Sequence, residues 1–370
     1  MNSTWLIIDL ASLLTVAALT GFLIPQILLI AFKKKLFDEP DERKIHTLPI
    51  PRLGGIAFMP VILFTIMLSI GIGLLYNYEW LRSIPVDQIK EGVFLACGGL
   101  SLFIVGIADD LIGVRYRAKF TVQIFAAALL VVSNLIFNEF HGLFGLQETN
   151  IIFAIALTII LIVFITNAIN LIDGIDGLAS GLSLIACLVY GIFLFDNQIF
   201  LFSQIAFCLF AALASFFAFN VFGDATKRKK IFMGDTGTLT VGIIISALAL
   251  RLANEPDRAG GYNFAVVAFA PLLIPCLDVV RVYLHRLRNH TNPFLPDKNH
   301  IHHKLLAAGL HQRVAMITIV SFSAALSALN IWLSLYINIT FILLGDIFLW
   351  VGLNIWLSRR ISMRRTKASV

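Results

Sequence analysis

IIFAIALTIILIVFITNAINLIDGIDG runs from Ile151 to Gly177. Residues 151–169 carry no charge, a length that lets a helix cross a hydrocarbon core of about 30 Å. The stretch then turns polar at once, with Asn170, Asp173 and Asp176 set among Gly174 and Gly177. An apolar span that ends in carboxylates is the repeating unit of this chain.

Outward from that stretch, apolar runs of similar length recur at 5–32, 54–75, 92–108, 120–137, 178–195, 199–219, 237–254, 263–284, 314–335 and 340–358. With 151–169 they make about eleven transmembrane helices. Of 370 residues, 59% are hydrophobic and 14% charged, against roughly 25% charged in a soluble domain. No segment of ordinary soluble composition remains for a second body, so the expected fold is an all-α polytopic integral membrane protein, one transmembrane domain over 1–370. Cys97, Cys187, Cys208 and Cys276 stand singly in apolar runs and read as small buried hydrophobes. The first span is too long for a signal-peptide core and has no basic residues ahead of it, so it reads as a retained helix.

All but four of the 28 Lys and Arg residues fall in the loops after odd-numbered spans or in the tail. The exceptions are Arg82, Lys90, Arg251 and Arg258. By the positive-inside rule the basic side is cytoplasmic, which places the N-terminus outside and the C-terminus inside. The net charge of +6 is then a topology signal, with no basic soluble face for nucleic acid.

Carboxylates at the membrane edge cost several kcal/mol unless paired or used, on the order of 3 for an Asp at a helix centre. Here Asp109, Asp110, Asp173, Asp176, Asp235 and Asp278 all lie at inner span ends, which suggests one composite site on the cytoplasmic face. Asn170 and Asp173, three apart, share a helix face. Asp235, in Phe232-Met233-Gly234-Asp235-Thr236-Gly237, offers the oxygen ligand a hard cation requires, and equally suits the N-cap of the next span. Adjacent residues on a helix point about 100° apart, so Asp109 and Asp110 do not form one clamp: one serves a metal and the other orients a neighbour. Six of the eight histidines occupy one loop, His285 to His311. With Lys298 and Lys304 beside them and no cysteine, phosphate suits that loop better than zinc.

These motifs resemble the polyprenyl-phosphate N-acetylhexosamine-1-phosphate transferases. The resemblance rests on Gly106–Asp110, Asn167–Leu178, Phe232–Gly237, His300–His303 and the first cytoplasmic loop, Asp41–His46 through Pro51–Gly55. It implies transfer of a sugar-1-phosphate from a UDP-N-acetylhexosamine to undecaprenyl phosphate, with release of UMP, in the bacterial inner (cytoplasmic) membrane. By the family pattern Asp235 and Asp173 hold Mg²⁺, with Mn²⁺ as a substitute. Asp109, Asp110, Asp173, His302 and His303 are catalytic. Lys119, Asn170, Leu171, Asp176, Phe232, His300, Arg52 and His46 bind substrate, with Leu171, Asp176 and Phe232 at the uracil. The His-x-His-His form matches the branch that uses UDP-GlcNAc and departs from the three consecutive histidines of the UDP-MurNAc-pentapeptide branch. A homodimer is compatible with the resemblance. The main rival, an ion-coupled secondary transporter, is expected to gather its acids near the bilayer midplane in two repeats; here they line one face, and Asp346 alone lies well inside a span.

Overall fold

The computed structural model describes residues 2–37, 49–76, 79–256, 261–290 and 299–368. His46, Arg43, Lys44, Lys298 and Arg258, all used in the reading above, lie outside the described residues. The helices are α1 (Asn2–Lys34), α2 (Phe58–Leu75), the short α3 (Glu79–Arg82), α4 (Val86–Ile112), α5 (Tyr116–Val132), α6 (Ile151–Ile172), α7 (Leu178–Asp196), α8 (Phe200–Val221) and α9 (Gly234–Ala253). After them come α10 (Phe264–Phe269), α11 (Leu273–Arg288), α12 (Ile301–Ala307), α13 (Gln312–Leu333) and α14 (Ile339–Ala368).

Ten helical segments among the described residues are long and apolar enough to span a bilayer. The chain is a multi-pass helical membrane protein. Two expectations need adjusting. The expected span at 120–137 is realised as α5, seventeen residues long and at the short end of the spanning range. The expected span at 263–284 is broken: α10 passes through a 3-10 turn at Ala270–Leu272 before α11 begins. Pro271 and Pro275 explain the break, since each lacks an N–H to donate to the preceding turn.

The structure also departs from an all-α fold. An antiparallel hairpin joins α5 to α6, β1 (Glu139–Leu143) to β2 (Leu146–Glu148), in register Glu139↔Glu148 and Leu143↔Leu146. Its turn takes four left-handed residues, His141 and Phe144 at φ 52° and Gly142 and Gly145 at φ 83° and 79°. The hairpin ties down the far end of α9: His141 Nε2 lies 2.6 Å from the Ala253 carbonyl, and Asn254 donates to the Ile136 carbonyl at 2.9 Å.

α9 is the axis of the bundle. From Thr236 to Ala253 every residue except Arg251 is buried, against α4, α6, α7, α8 and α10. In hydrocarbon no hydrophobic force holds helices together, so close packing over small residues does that work. A Cβ at Gly106 of α4 would strike the Thr236 backbone, and one at Gly55 would strike the backbone of Gly237. The same contact stitches the end of the first loop to the start of α9. Phe232 N–H donates to the Pro51 carbonyl at 2.8 Å, Gly54 N–H to Phe232 at 2.9 Å and Gly55 N–H to Met233 at 2.9 Å.

Gly55→Ala should therefore push two backbones apart where neither side chain can yield. Overpacking of this kind costs roughly 1–3 kcal/mol, read as a lower thermal unfolding midpoint in detergent; an unchanged midpoint would show that the two segments are not in close contact.

Candidate active site

The inner carboxylates converge where α4, α5, α6 and α9 meet. α9 opens on Gly234, whose φ of 74° turns the chain into the helix and leaves its first N–H groups facing α4. Asp110 takes them. Its Oδ1 accepts from Asp235 N–H at 2.8 Å, and its Oδ2 accepts from Thr236 N–H at 2.9 Å and Thr236 Oγ1 at 2.6 Å. An anion there also complements the helix dipole. Asp110 thus acts as the cap of another helix, with both oxygens engaged.

Its neighbour Asp109 turns elsewhere, as the helical spacing requires. Asp109 Oδ1 accepts from Val114 N–H at 2.7 Å and Oδ2 from Lys119 Nζ at 3.0 Å. Lys119 also donates to Asp235 Oδ2, while Asn170 donates to Asp235 Oδ1 at 3.1 Å and to Thr238 Oγ1 at 2.7 Å. Four residues from four helices therefore meet at Asp235. The side chains of Lys119, Asp109 and Asp235 are only partly buried, so the cluster remains reachable by a ligand.

Asp173 caps the C-terminus of α6. Its side chain keeps an exposed surface, while the protein packed around it is dense enough to desolvate the carboxylate. That desolvation foremost, then the charges of Asp176, Asp235 and Asp110, push its carboxyl up to about 7 against the pull of Arg52. Asp176 accepts from Lys230 Nζ at 2.5 Å, which joins the Asn-Asp loop to the strip that leads through Phe232 to Asp235. Arg52 is exposed, and its carbonyl lies directly under Gly234.

The histidine loop is built differently from the sequence reading. Asp278, fully buried on α11, accepts from Arg281 Nη2 at 2.7 Å, pairs with His300 Nδ1 at 2.9 Å and takes the Ile301 N–H at 3.1 Å. His302 is 1% exposed with neither ring nitrogen hydrogen-bonded to protein; its ring packs against Gly174, where a Cβ would collide with it. Burial, then His303 and His300, holds it down to about 3, so it is neutral and wedges the loop against the Asp173 turn. The His303 ring lies tilted against it, centroids 4.2 Å apart and planes at 45°. Lys304 does not face the cluster: it donates to Asn354 Oδ1 at 3.1 Å and Ser358 Oγ at 3.2 Å on α14, which corrects its expected place among the phosphate ligands. Burial and Arg281 lower it to about 8.

The sequence reading left Asp278 without a role and passed over Arg281, although their i, i+3 spacing was a usable signal. It also passed over Gln123, which with Lys119, Asn167, Arg286 and His300 gives a groove of about 610 Å³ its polar lining. The rest of the wall is apolar, including Ile159, Ile160, Val163 and Phe164 of α6 and Val279 and Val282 of α11. Leu171 stands in this wall.

Among the described residues no three His, Cys, Asp or Glu side chains form a ready metal site. Mg²⁺ needs less: one or two carboxylates, with substrate phosphates completing its shell. The carboxylates here, Asp235 and Asp109, offer only oxygen, with Asn170 bracing Asp235 through its Nδ2. The Lys119 ammonium between the two carboxylates marks a place built for positive charge. The residues fit the ion.

Residues 93–253 match glycosyl transferase family 4. A protein of Bacillus subtilis named probable undecaprenyl-phosphate N-acetylglucosaminyl 1-phosphate transferase is 33% identical over 89% of this chain and 86% of its own. An undecaprenyl-phosphate alpha-N-acetylglucosaminyl 1-phosphate transferase of Escherichia coli O157:H7 is 32% identical over 82% and 77%. A decaprenyl-phosphate N-acetylglucosaminephosphotransferase of Mycobacterium leprae is 30% identical over 84% and 82%.

Asp110→Asn replaces an acceptor of two N–H groups with a side chain that presents an N–H of its own. Leaving a buried donor unsatisfied costs about 1–3 kcal/mol, so the variant should unfold at lower temperature in detergent; a midpoint equal to that of the parent would deny Asp110 the capping role.

Proposed function

The chain belongs to glycosyl transferase family 4, and on that premise we propose that it transfers N-acetylglucosamine-1-phosphate from UDP-GlcNAc to undecaprenyl phosphate, releasing UMP. The observation that carries this reading is that Lys119, which joins Asp109 to Asp235 beside Asn170, also lines a largely apolar groove. One substrate is a soluble nucleotide and the other a long lipid, and this junction serves both.

Phosphoryl transfer asks a protein mainly for alignment and charge neutralisation. Asp235 and Asp109, with Asp173 in reach of their charge, would hold Mg²⁺ or Mn²⁺, which would supply neutralisation of the pyrophosphate. Lys119, paired with those two carboxylates, is the cation placed to meet the phosphates. Asp176 with Lys230, Phe232 and Arg52 form the nucleotide side, adjoining Asp235 through the Met233–Gly234 turn. The lipid lies along α5, α6 and α11, its phosphate directed at Lys119, Arg286 and His300. Asp110 and His302 act through position: one sets the start of α9, the other seats the histidine loop on the Asp173 turn.

Transfer is direct. The acceptor is a phosphate monoester with a second pKa of about 6, largely a dianion near pH 7. It needs no base, and a covalent relay is of most use for a weak nucleophile. Both Asp109 oxygens are engaged by Val114 and Lys119, a poor arrangement for a nucleophile.

We read α5 as the eleventh span, the N-terminus as outside, the site as cytoplasmic and the membrane as the bacterial inner one. The support is the Lys and Arg distribution together with α5, whose seventeen residues rise about 25 Å.

Asp235→Asn keeps the size and polarity of the side chain and removes the charge that holds Mg²⁺. UMP release from UDP-GlcNAc with added undecaprenyl phosphate should fall by about two orders of magnitude or more while the protein stays folded, and near-normal release would take Asp235 out of the site. For orientation, a single cysteine at Lys229 in a cysteine-free background should be shielded from an impermeant thiol reagent in intact cells, and one at Gln147 labelled. The opposite pattern would invert the topology.

A further inference from the structure

One turn deeper than the charged cluster lies a second polar layer with no part in the scheme above. Gln123 of α5 and Asn167 of α6 face each other at the neck of the groove. Asn167 Nδ2 donates to Gln123 Oε1 at 2.5 Å and to its own helix at the Val163 carbonyl, 2.7 Å. Gln123 Nε2 returns a longer contact to Asn167 Oδ1 at 3.5 Å. Gln123 is 3% exposed. Around the pair the groove walls are Phe120, Ile124, Val163 and Phe164.

The spacing ties this layer to the one above it. Gln123 follows Lys119 by four residues and Asn167 precedes Asn170 by three, so each pair shares a helix face. The two members nearer the cluster, Lys119 and Asn170, are the side chains that reach Asp235 from α5 and α6. A carboxamide in apolar surroundings is costly to leave unpaired, and a slide or rotation of α5 along α6 separates this pair. α5 is also short, with little apolar length of its own to set its register.

We propose that Gln123 is a positioning residue for the transfer reaction: paired with Asn167, it fixes the axial register of α5 on α6 and so holds Lys119 between Asp109 and Asp235. It touches neither the reacting phosphates nor the metal. The proposal rests on the transferase reading and adds to it a residue one layer below the chemistry.

The test is a swap. In purified protein in detergent, with Mg²⁺, UDP-GlcNAc and undecaprenyl phosphate, UMP release is measured for Gln123→Asn, Asn167→Gln and the double variant carrying both. Each single change alters the combined length of the pair; the double change restores it with the two carboxamides exchanged. Misplacing a catalytic group by about 1 Å costs up to about a hundredfold, so each single variant should lose about tenfold or more in kcat. A change in alignment at constant ground-state binding leaves KM for UDP-GlcNAc within about threefold. The double variant should return to within about threefold of the parent. Should Asn167→Gln not yield monodisperse protein, Gln123→Met, which keeps length and removes both hydrogen-bonding atoms, takes its place, with the same loss expected. Parental kcat in the single variants, or a double variant no faster than the slower single one, overturns the proposal. Absence of UMP release from the parent protein would instead strike the transferase reading itself.

Discussion

The structure depends on keeping several carboxylates together at the edge of a membrane. An ionised Asp at the edge of hydrocarbon is expensive, and this fold answers by pairing most of them with donors, several from other segments of the chain. Asp110 takes the N-terminus of α9, Asp109 and Asp235 share Lys119, Asp176 takes Lys230, and Asp278 takes Arg281 and His300. The pairs bind the helices to one another as much as they satisfy the charges. Because α9 is buried along its length and enters the cluster through Gly234, Asp235 stands on the most deeply buried of the spanning helices among the described residues. A site meant to hold a metal and a pyrophosphate in one geometry gains from that support.

The groove gives the cluster its direction. A polar centre sealed on all sides by protein would serve a soluble reaction, yet here one wall opens onto a channel that turns apolar within a helical turn of Lys119. Both α6, which carries Asn167 and Asn170, and α11, which carries Asp278, line that channel and reach the cluster or the histidine loop. The lipid-facing and nucleotide-facing parts are thus built from the same helices.

Much of this was legible in the sequence because it rests on short-range pattern. Apolar run length marks the spans, and one-sided carboxylates mark the end of the bundle where Asp109, Lys119, Asn170 and Asp235 meet. What escaped depends on contacts between distant segments. The i, i+1 geometry shows that Asp109 and Asp110 diverge, but which of them caps α9 is decided by the close approach of Gly106 to Thr236. Lys304 sits among histidines in the sequence, yet α12 turns it toward Asn354. His302 belongs to a motif rich in potential phosphate donors, and only its burial against Gly174 shows it to be a neutral wedge. The hairpin at Glu139–Glu148 escaped because a span of roughly 120–137 was carried past the true end of α5, and its Gly142 and Gly145 turn residues were passed over.

The fate of the β-phosphorus of the donor bears most directly on this account. Purified protein is given UDP-GlcNAc labelled with ³²P at the β-position, Mg²⁺ and undecaprenyl phosphate, and the label is followed between the organic and aqueous phases. Transfer of the intact sugar-1-phosphate carries the label into the lipid, in step with unlabelled UMP. Label that stays in water while UMP forms would mean hydrolysis, and label that stays in UDP-GlcNAc would mean that this site does not perform the transfer.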